Sequence, residues 1–264
     1  MPGAEKNITI LRGWAHDLLI ATGFLTRLPV ARLLKVDPEQ PVRPLADVAW
    51  AFPAVGILTG GLAAVALMMA HSMGLHPLAS ALIALAVGVA ATGALHEDGL
   101  ADVADGFGGG VKKKDKLRIM RDSAVGAYGM LALVFSIGIR AAALSGMAGA
   151  GTAAMALISA ACISRALIVG AMVGLPAARD DGLGSSAGRP ETGTFLTALA
   201  VAAVTAFVLG GAGAWILLAA GGLATIAMMA LAKRQIGGQT GDVLGATQQV
   251  SEIAILLAAA AAIG

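Results

Sequence analysis

Apolar runs about as long as a bilayer is thick, each with at most one charged residue, recur along this chain, and they restrict its fold more than any other feature. They fall at 47–70, 77–95, 124–145, 152–174, 193–210, 214–232 and 243–263. A run of roughly 20 apolar residues is what an α-helix needs to cross the hydrocarbon core. In lipid, only helices and closed barrels satisfy all their backbone polar groups. The uncharged region 192–232 is too long for one crossing, and Gly210-Gly211-Ala212-Gly213 breaks it into a hairpin. The expectation is an all-α, polytopic membrane bundle of about seven transmembrane helices, forming a single domain over 1–264. Composition agrees, with 58% hydrophobic and 13% charged residues against roughly 25% charged in soluble domains. Cys162 is the only cysteine and lies in the apolar run Ile158–Ile163, so it reads as packing and excludes a disulfide framework.

The segment 8–28 differs from the rest. Arg12, His16, Asp17 and Arg27 interrupt it, which suits an interfacial or re-entrant helix rather than an eighth span. The pattern is not that of a cleavable signal. Charge asymmetry sets the orientation. Arg27, Arg32, Lys35 and Arg43 precede the first span, the cluster Lys112 to Arg121 follows the second, Arg179 and Arg189 the fourth, and Lys233 with Arg234 the sixth. The connections 71–76, 146–151 and 210–213 carry no Lys or Arg. By the positive-inside rule the charged loops face the cytoplasm and the C-terminus lies on the far side.

Against that apolar background one polar motif stands out: His96-Glu97-Asp98-Gly99-Leu100-Ala101-Asp102-Val103-Ala104-Asp105-Gly106. Ionisable groups at membrane depth are expensive and mark functional sites by default. On a helix Asp98, Asp102 and Asp105 share one face at i, i+4 and i+7. Three carboxylates that close repel one another unless a cation lies between them. Oxygen ligands of this kind suit a divalent metal, and magnesium on carboxylates usually completes its shell with phosphate oxygens and water. His96 is the histidine placed for ligand or proton work, since His71 and His76 fall on the far side and His16 at the interface.

Two further clusters follow. In Lys112-Lys113-Lys114-Asp115-Lys116-Leu117-Arg118-Ile119-Met120-Arg121-Asp122-Ser123, the lysine run reads as a topogenic, lipid-facing loop. Arg118 and Arg121, three apart, suit planar two-pronged capture of phosphate. In Gly237-Gly238-Gln239-Thr240-Gly241-Asp242, three glycines with Gln, Thr and Asp form an anion or ribose site at a helix start. Gln249 and Glu252 extend the polar face of that last span. Arg140 and Arg165 each interrupt an apolar span and must face the bundle interior, either on phosphate or paired with carboxylates. Thr26-Arg27-Leu28-Pro29 puts one more Arg at the cytoplasmic surface.

Together these motifs resemble the cobalamin synthase, or adenosylcobinamide-GDP ribazoletransferase, family over nearly the whole length. The residues that carry the resemblance are Phe24-Leu25-Thr26-Arg27-Leu28-Pro29-Val30, Phe52-Pro53 with Gly56, the acidic motif, Ile119-Met120-Arg121-Asp122-Ser123, Ser164-Arg165, and Gly237 to Asp242 with Leu244-Gly245. Glu97 stands where family members often have Leu, so it is not expected to be essential. The resemblance implies that α-ribazole, or its 5′-phosphate, is joined to adenosylcobinamide-GDP with release of GMP, with magnesium as cofactor, at the bacterial inner membrane and facing the cytoplasm. It further implies that Asp98, Asp102 and Asp105 hold magnesium on the pyrophosphate. Arg118 and Arg121 would neutralise the GMP leaving group, and Asp122 or Asp242 would take the proton of the ribazole hydroxyl. Arg27, His96, Arg165, Gly238, Gln239 and Thr240 are the expected substrate contacts. No nucleic acid is implied as a partner, and a homo-oligomer is compatible with the sequence. A lipid-headgroup transferase of the CDP-alcohol type is the first alternative, but Asp102 and the lysine run break its motif. A cation transporter is the second, but its sites belong near the midplane, whereas these polar clusters sit at the cytoplasmic ends.

Overall fold

The computed structural model describes residues 2–30, 43–182 and 186–263, with side chains from Gly13 onward up to Ala262. Arg32 and Lys35, used above for orientation, lie outside the described residues, as does the side chain of Arg12. The regular elements are helical: α1 (Pro2–Leu25), α2 (Leu45–Val48), α3 (Phe52–Ser72), α4 (Pro77–Thr92), α5 (Leu95–Gly109), α6 (Lys113–Ile119), α7 (Ala127–Ser145), α8 (Ala150–Gly174), α9 (Thr192–Gly210), α10 (Ala214–Ile236) and α11 (Gly241–Ile263). Short 3-10 turns join α2 to α3 and α9 to α10.

Among the described residues five stretches are long and apolar enough to cross a membrane, and α4 with α5 makes a sixth only as a pair bent by 92°. One of the five, Thr192–Ile236, runs 45 residues, and its packing shows it to be two arms. A side chain on Gly170 of α8 would meet Phe195 at the start of α9, and one on Gly174 would meet Met229 near the end of α10. Both arms therefore meet the same end of α8. They turn at Gly211, whose φ is 53°, and the Phe207 and Trp215 rings meet edge to face at 4.9 Å across the turn. The hairpin expected at Gly210–Gly213 is present, while α4, 16 residues long, qualifies as a span only together with the bent α5, not as the independent crossing expected.

The bundle is organised around α8, which is buried along most of its length and packs on α3, α9 and α11. Without a hydrophobic drive between helices in lipid, close approach through small residues supplies the packing energy. A side chain at Gly56 would overlap the Ala161 carbonyl, and one at Gly60 would crowd Ile158, so α3 and α8 touch backbone to backbone. Cys162 is fully buried in this crossing.

The N-terminal segment is a helix outside the spanning set, held against α2 and α3. Its Asp17 is 2% exposed. The carboxylate accepts two bonds from Arg43 Nη1 (2.6 and 2.8 Å) and one from Trp50 Nε1 (3.0 Å), so the buried charge is paired and its lone pairs are used.

One boundary departs from the sequence reading. The apolar run 77–95 was expected as one span leading into the acidic motif, but the helix stops at Thr92. Gly93 (φ 66°) and Ala94 (φ 60°) both take left-handed backbone, and α5 leaves at right angles. Left-handed backbone is disfavoured for Ala, by about 1–2 kcal/mol. Glycine suits position 93, because a Cβ there would add strain and would also displace the Arg27 side chain. Consequently the acidic motif lies across the end of the bundle instead of continuing through it.

Candidate functional site

At that end three polypeptide segments converge. The first is α5, which crosses α11 so closely that a side chain on Gly99 would meet the Asp242 backbone, and one on Gly245 the His96 carbonyl. The second is the turn 237–242. Gly237 closes α10 with φ 83° and its N–H on the Lys233 carbonyl. A Cβ on Gly238 would overlap the Pro176 carbonyl. The Gln239 N–H donates to that carbonyl (2.8 Å), and the Gln239 carbonyl accepts from the Ala178 N–H (2.8 Å). Thr240 caps α11: its hydroxyl accepts from the Val243 N–H and donates to Asp242 at 3.1 Å. The third segment, 175–182, is thereby fixed beside the first two and brings in Arg179.

Between these segments, α1, α3 and α8 lies a cavity of about 340 Å³. Its lining includes Asp98, Asp242, Arg179 and His96 on the polar side, and Phe24, Phe52, Leu95, Ile168 and Met172 on the apolar side. Arg179 Nη2 is 3.8 Å from Asp242, while its Nη1 is buried with no hydrogen-bond partner. Asp181 pairs with both Arg179 and Arg121, so a chain of alternating charges runs from α6 to the cavity. Asp102, half-buried one turn beyond Asp98, feels the like charges of Asp98, Asp242 and Asp105, opposed by Arg179.

The expected site residues divide as follows. Asp98, Asp242 and His96 line the cavity, with Asp102 adjacent, while Gly238, Gln239 and Thr240 are buried outside its lining, where they pin segment 175–182 and cap α11. Asp105 stands apart from the expected metal face. It is buried, and its two oxygens accept the N–H groups of Gly126 (2.7 Å) and Gly129 (2.9 Å), anchoring the first turn of α7. Among the described residues no three His, Cys, Asp or Glu side chains enclose a metal ion. Asp98 and Asp102 do fit magnesium that draws its remaining ligands from phosphate and water, which is how such sites are usually made.

Arg121 and Asp122 are exposed on the outer surface beyond α6. Asp122 accepts the Ala124 N–H at 3.1 Å, and Arg118 is exposed. Arg27 donates its backbone N–H to Ala91 (2.8 Å) and lays its side chain over the Gly93 bend. Of the basic loop, Lys112 to Lys114 are exposed, but Lys116 is buried and bonds Gln235.

Arg165 is deeper, in a buried polar cluster with a small void of about 40 Å³. Here Arg140 pairs with Glu252 (3.1 Å) and Glu97 (3.5 Å). Gln249 donates to Glu97 (3.0 Å), and Gln248 to Ser164 (3.0 Å) and to Glu252. Arg165 donates to the Ala161 carbonyl (3.0 Å). The alternative left open for Arg140 is thus resolved in favour of an ion pair. The sequence reading missed Arg179, taken only as a topological charge, and the part played by Glu97.

The fold and site define a polytopic helical membrane protein that gathers carboxylates, arginines and a glycine-rich turn around a cavity at one end of its bundle. Residues 17–260 match the cobalamin-5-phosphate synthase family, and the chain belongs to that family. Similar proteins named adenosylcobinamide-GDP ribazoletransferase occur in Bradyrhizobium diazoefficiens (44% identity, covering 99% of this chain and 98% of the relative). Others occur in Mesorhizobium japonicum (44%, covering 94% and 93%) and Azorhizobium caulinodans (43%, covering 91% and 94%). No solved structure matches.

Proposed function

We propose that this protein is an enzyme that joins α-ribazole, or its 5′-phosphate, to adenosylcobinamide-GDP, giving adenosylcobalamin or its phosphate and GMP, the last step of nucleotide-loop assembly. The observation that carries the reading is the polar side of the cavity. Arg179 offers a buried, unpartnered Nη1 beside Asp242, with Asp98 opposite. That is an anion-binding and a proton-accepting group within one site.

In the transfer, a ribose hydroxyl oxygen attacks the phosphorus bonded to the cobinamide side, the bond from that phosphorus to the GMP oxygen breaks, and the hydroxyl proton passes to a carboxylate. Asp242 suits that last role better than Asp122, which lies outside the cavity. Arg179 holds the phosphoryl oxygens, and Arg121, linked to it through Asp181, receives the GMP phosphate with Arg118. Asp98 and Asp102 would hold magnesium, which would supply charge neutralisation to a phosphoryl transfer that needs positioning and electrostatics above all. Asp105 then acts as a strut for α7. Purified protein in nanodiscs, given adenosylcobinamide-GDP and α-ribazole, is expected to release GMP and adenosylcobalamin in equal amounts with magnesium and neither without it. Absence of both products would sink this reading.

The basic segments 112–121, 176–182 and 233–239 meet at the site's end of the bundle, as the contacts of Lys116 with Gln235, of Arg121 with Asp181 and of Ala178 with Gln239 attest. On the positive-inside rule that end faces the cytoplasm of the bacterial inner membrane. A reporter fused at Gly264 is expected to give signal only if it is of the kind active outside the cytoplasm. Signal from a cytoplasm-only reporter would reverse the orientation.

The basic loop should divide into two functions. Arg121→Lys keeps the charge but loses the planar two-pronged geometry, and is expected to lower the rate about 10- to 100-fold, or about 1.4–2.8 kcal/mol. Lys112, Lys113 and Lys114 changed together to Gln should alter it far less. The reverse ranking in steady-state rates would undo the division.

A further inference from the structure

The cavity is polar at one end only. Arg179 and Asp242 are about one-fifth exposed (17% and 21%) and Asp98 is exposed, whereas Phe52 and Met172 are 2% exposed at the other end. The polar groups therefore stand at the mouth, and the apolar part reaches into the bundle. A volume of about 340 Å³ is at the low end of the roughly 300–1,000 Å³ that holds a small-molecule ligand. It admits one nucleoside and falls far short of a corrinoid.

Apart from the adenine carried on the corrinoid, which is too large to enter, two bases are offered by the reaction proposed above, on which this inference rests. Guanine carries donors and acceptors around its edge, and burying them among Phe24, Phe52, Ile168 and Met172 would leave most without partners, at a cost of a few kcal/mol each. The dimethylbenzimidazole of α-ribazole, once glycosylated, has no donor and a single acceptor nitrogen. Its flat, methylated ring matches an apolar slot. One buried donor is at hand: His96, 3% exposed, stands between this cavity and the small void beside Arg165 and lines both, and its Nε2 has no hydrogen-bond partner.

We infer that this cavity is the acceptor subsite: it takes the benzimidazole of α-ribazole in its apolar depth, with the free ring nitrogen accepting a hydrogen bond from His96 Nε2. The ribose then reaches Asp242 at the mouth, and adenosylcobinamide-GDP is held outside, over the exposed face of α5 and the α6 segment. His96 is a specificity-determining contact on this view, because a base without an acceptor at that position leaves Nε2 buried and unsatisfied.

The test narrows the slot from two independent elements, with Ile168→Trp on α8 and Ala187→Phe on the loop, and removes the donor with His96→Ala. Binding of α-ribazole to the purified protein without donor substrate, followed by its own fluorescence, is expected to weaken about tenfold or more in each. The α-ribazole KM should rise in parallel while the adenosylcobinamide-GDP KM stays within about twofold, a change of about 0.4 kcal/mol. His96→Gln, which keeps an N–H donor, should recover part of the loss. Unchanged α-ribazole binding in both slot-filling variants, or a KM shift on adenosylcobinamide-GDP instead, overturns the assignment. The binding arm needs no turnover. Wild-type protein that binds α-ribazole in the slot but makes no product therefore contradicts the proposed reaction and not the subsite.

Discussion

Asp98→Asn and Asp102→Asn are each expected to cut turnover about a thousandfold or more, equivalent to about 4 kcal/mol of transition-state stabilisation, without lowering the unfolding temperature. Both side chains keep their size. Both lie on the face of α5 turned away from the core, with Asp98 exposed and Asp102 half-buried, so the fold loses little. What is lost is half of the charge that would hold magnesium against the pyrophosphate. Asp105→Asn should behave differently. An amide can accept at only one of its two heavy atoms, so one of the Gly126 and Gly129 N–H groups loses its partner and the start of α7 loosens. Its activity loss should come with a lower unfolding temperature. Rates as a function of magnesium concentration, measured beside thermal unfolding in detergent, separate the cases. A near-normal magnesium dependence in Asp98→Asn or Asp102→Asn would remove that residue from the site.

That contrast marks where the sequence could be read and where it could not. Helical spacing correctly puts Asp98, Asp102 and Asp105 on one element, but spacing says nothing of what lies opposite. The amides that occupy Asp105 belong to residues 126 and 129, beyond the intervening α6. The apolar runs were legible because each is a long local signal, and the hairpin at Gly210–Gly213 because glycines interrupt it. The right-angle break at Gly93-Ala94 was not. Apolar residues continue through it to Leu95, and the left-handed Ala94 violates the local preference that a reader relies on. Arg179 sits in a segment without periodicity, and only the pairing of Ala177 with Gln239 brings it to Asp242. Glu97 was discounted because family members often have Leu at its place, and its partners, Arg140 and Gln249, lie 43 and 152 residues away and leave no local signal.

Those distant partners lead to the largest expected stability effect. Arg140 and Arg165 face Glu97 and Glu252 inside the bundle, two charges of each sign, with Gln248, Gln249, Ser136 and Ser164 filling the remaining hydrogen-bond positions. Replacing a buried ion pair outright is often neutral, but removing one partner strands the other charge, at about 3–5 kcal/mol. Arg140→Met fits the space and leaves one uncompensated carboxylate among apolar spans, so the protein should unfold at a clearly lower temperature. The double variant Arg140→Met with Glu252→Gln restores charge balance, with Arg165 left to face Glu97, and should recover most of the loss. Turnover should follow stability only in part. Glu97 lies between His96 and Asp98, so losing its Arg140 partner also loosens the start of α5 even with Gln249 still bound, and the double variant should remain slower than wild type while unfolding near the wild-type temperature. An unchanged unfolding temperature in Arg140→Met would show that the cluster is hydrated and carries no structural load. A double variant no more stable than Arg140→Met would show that lost packing, and not stranded charge, is the cause.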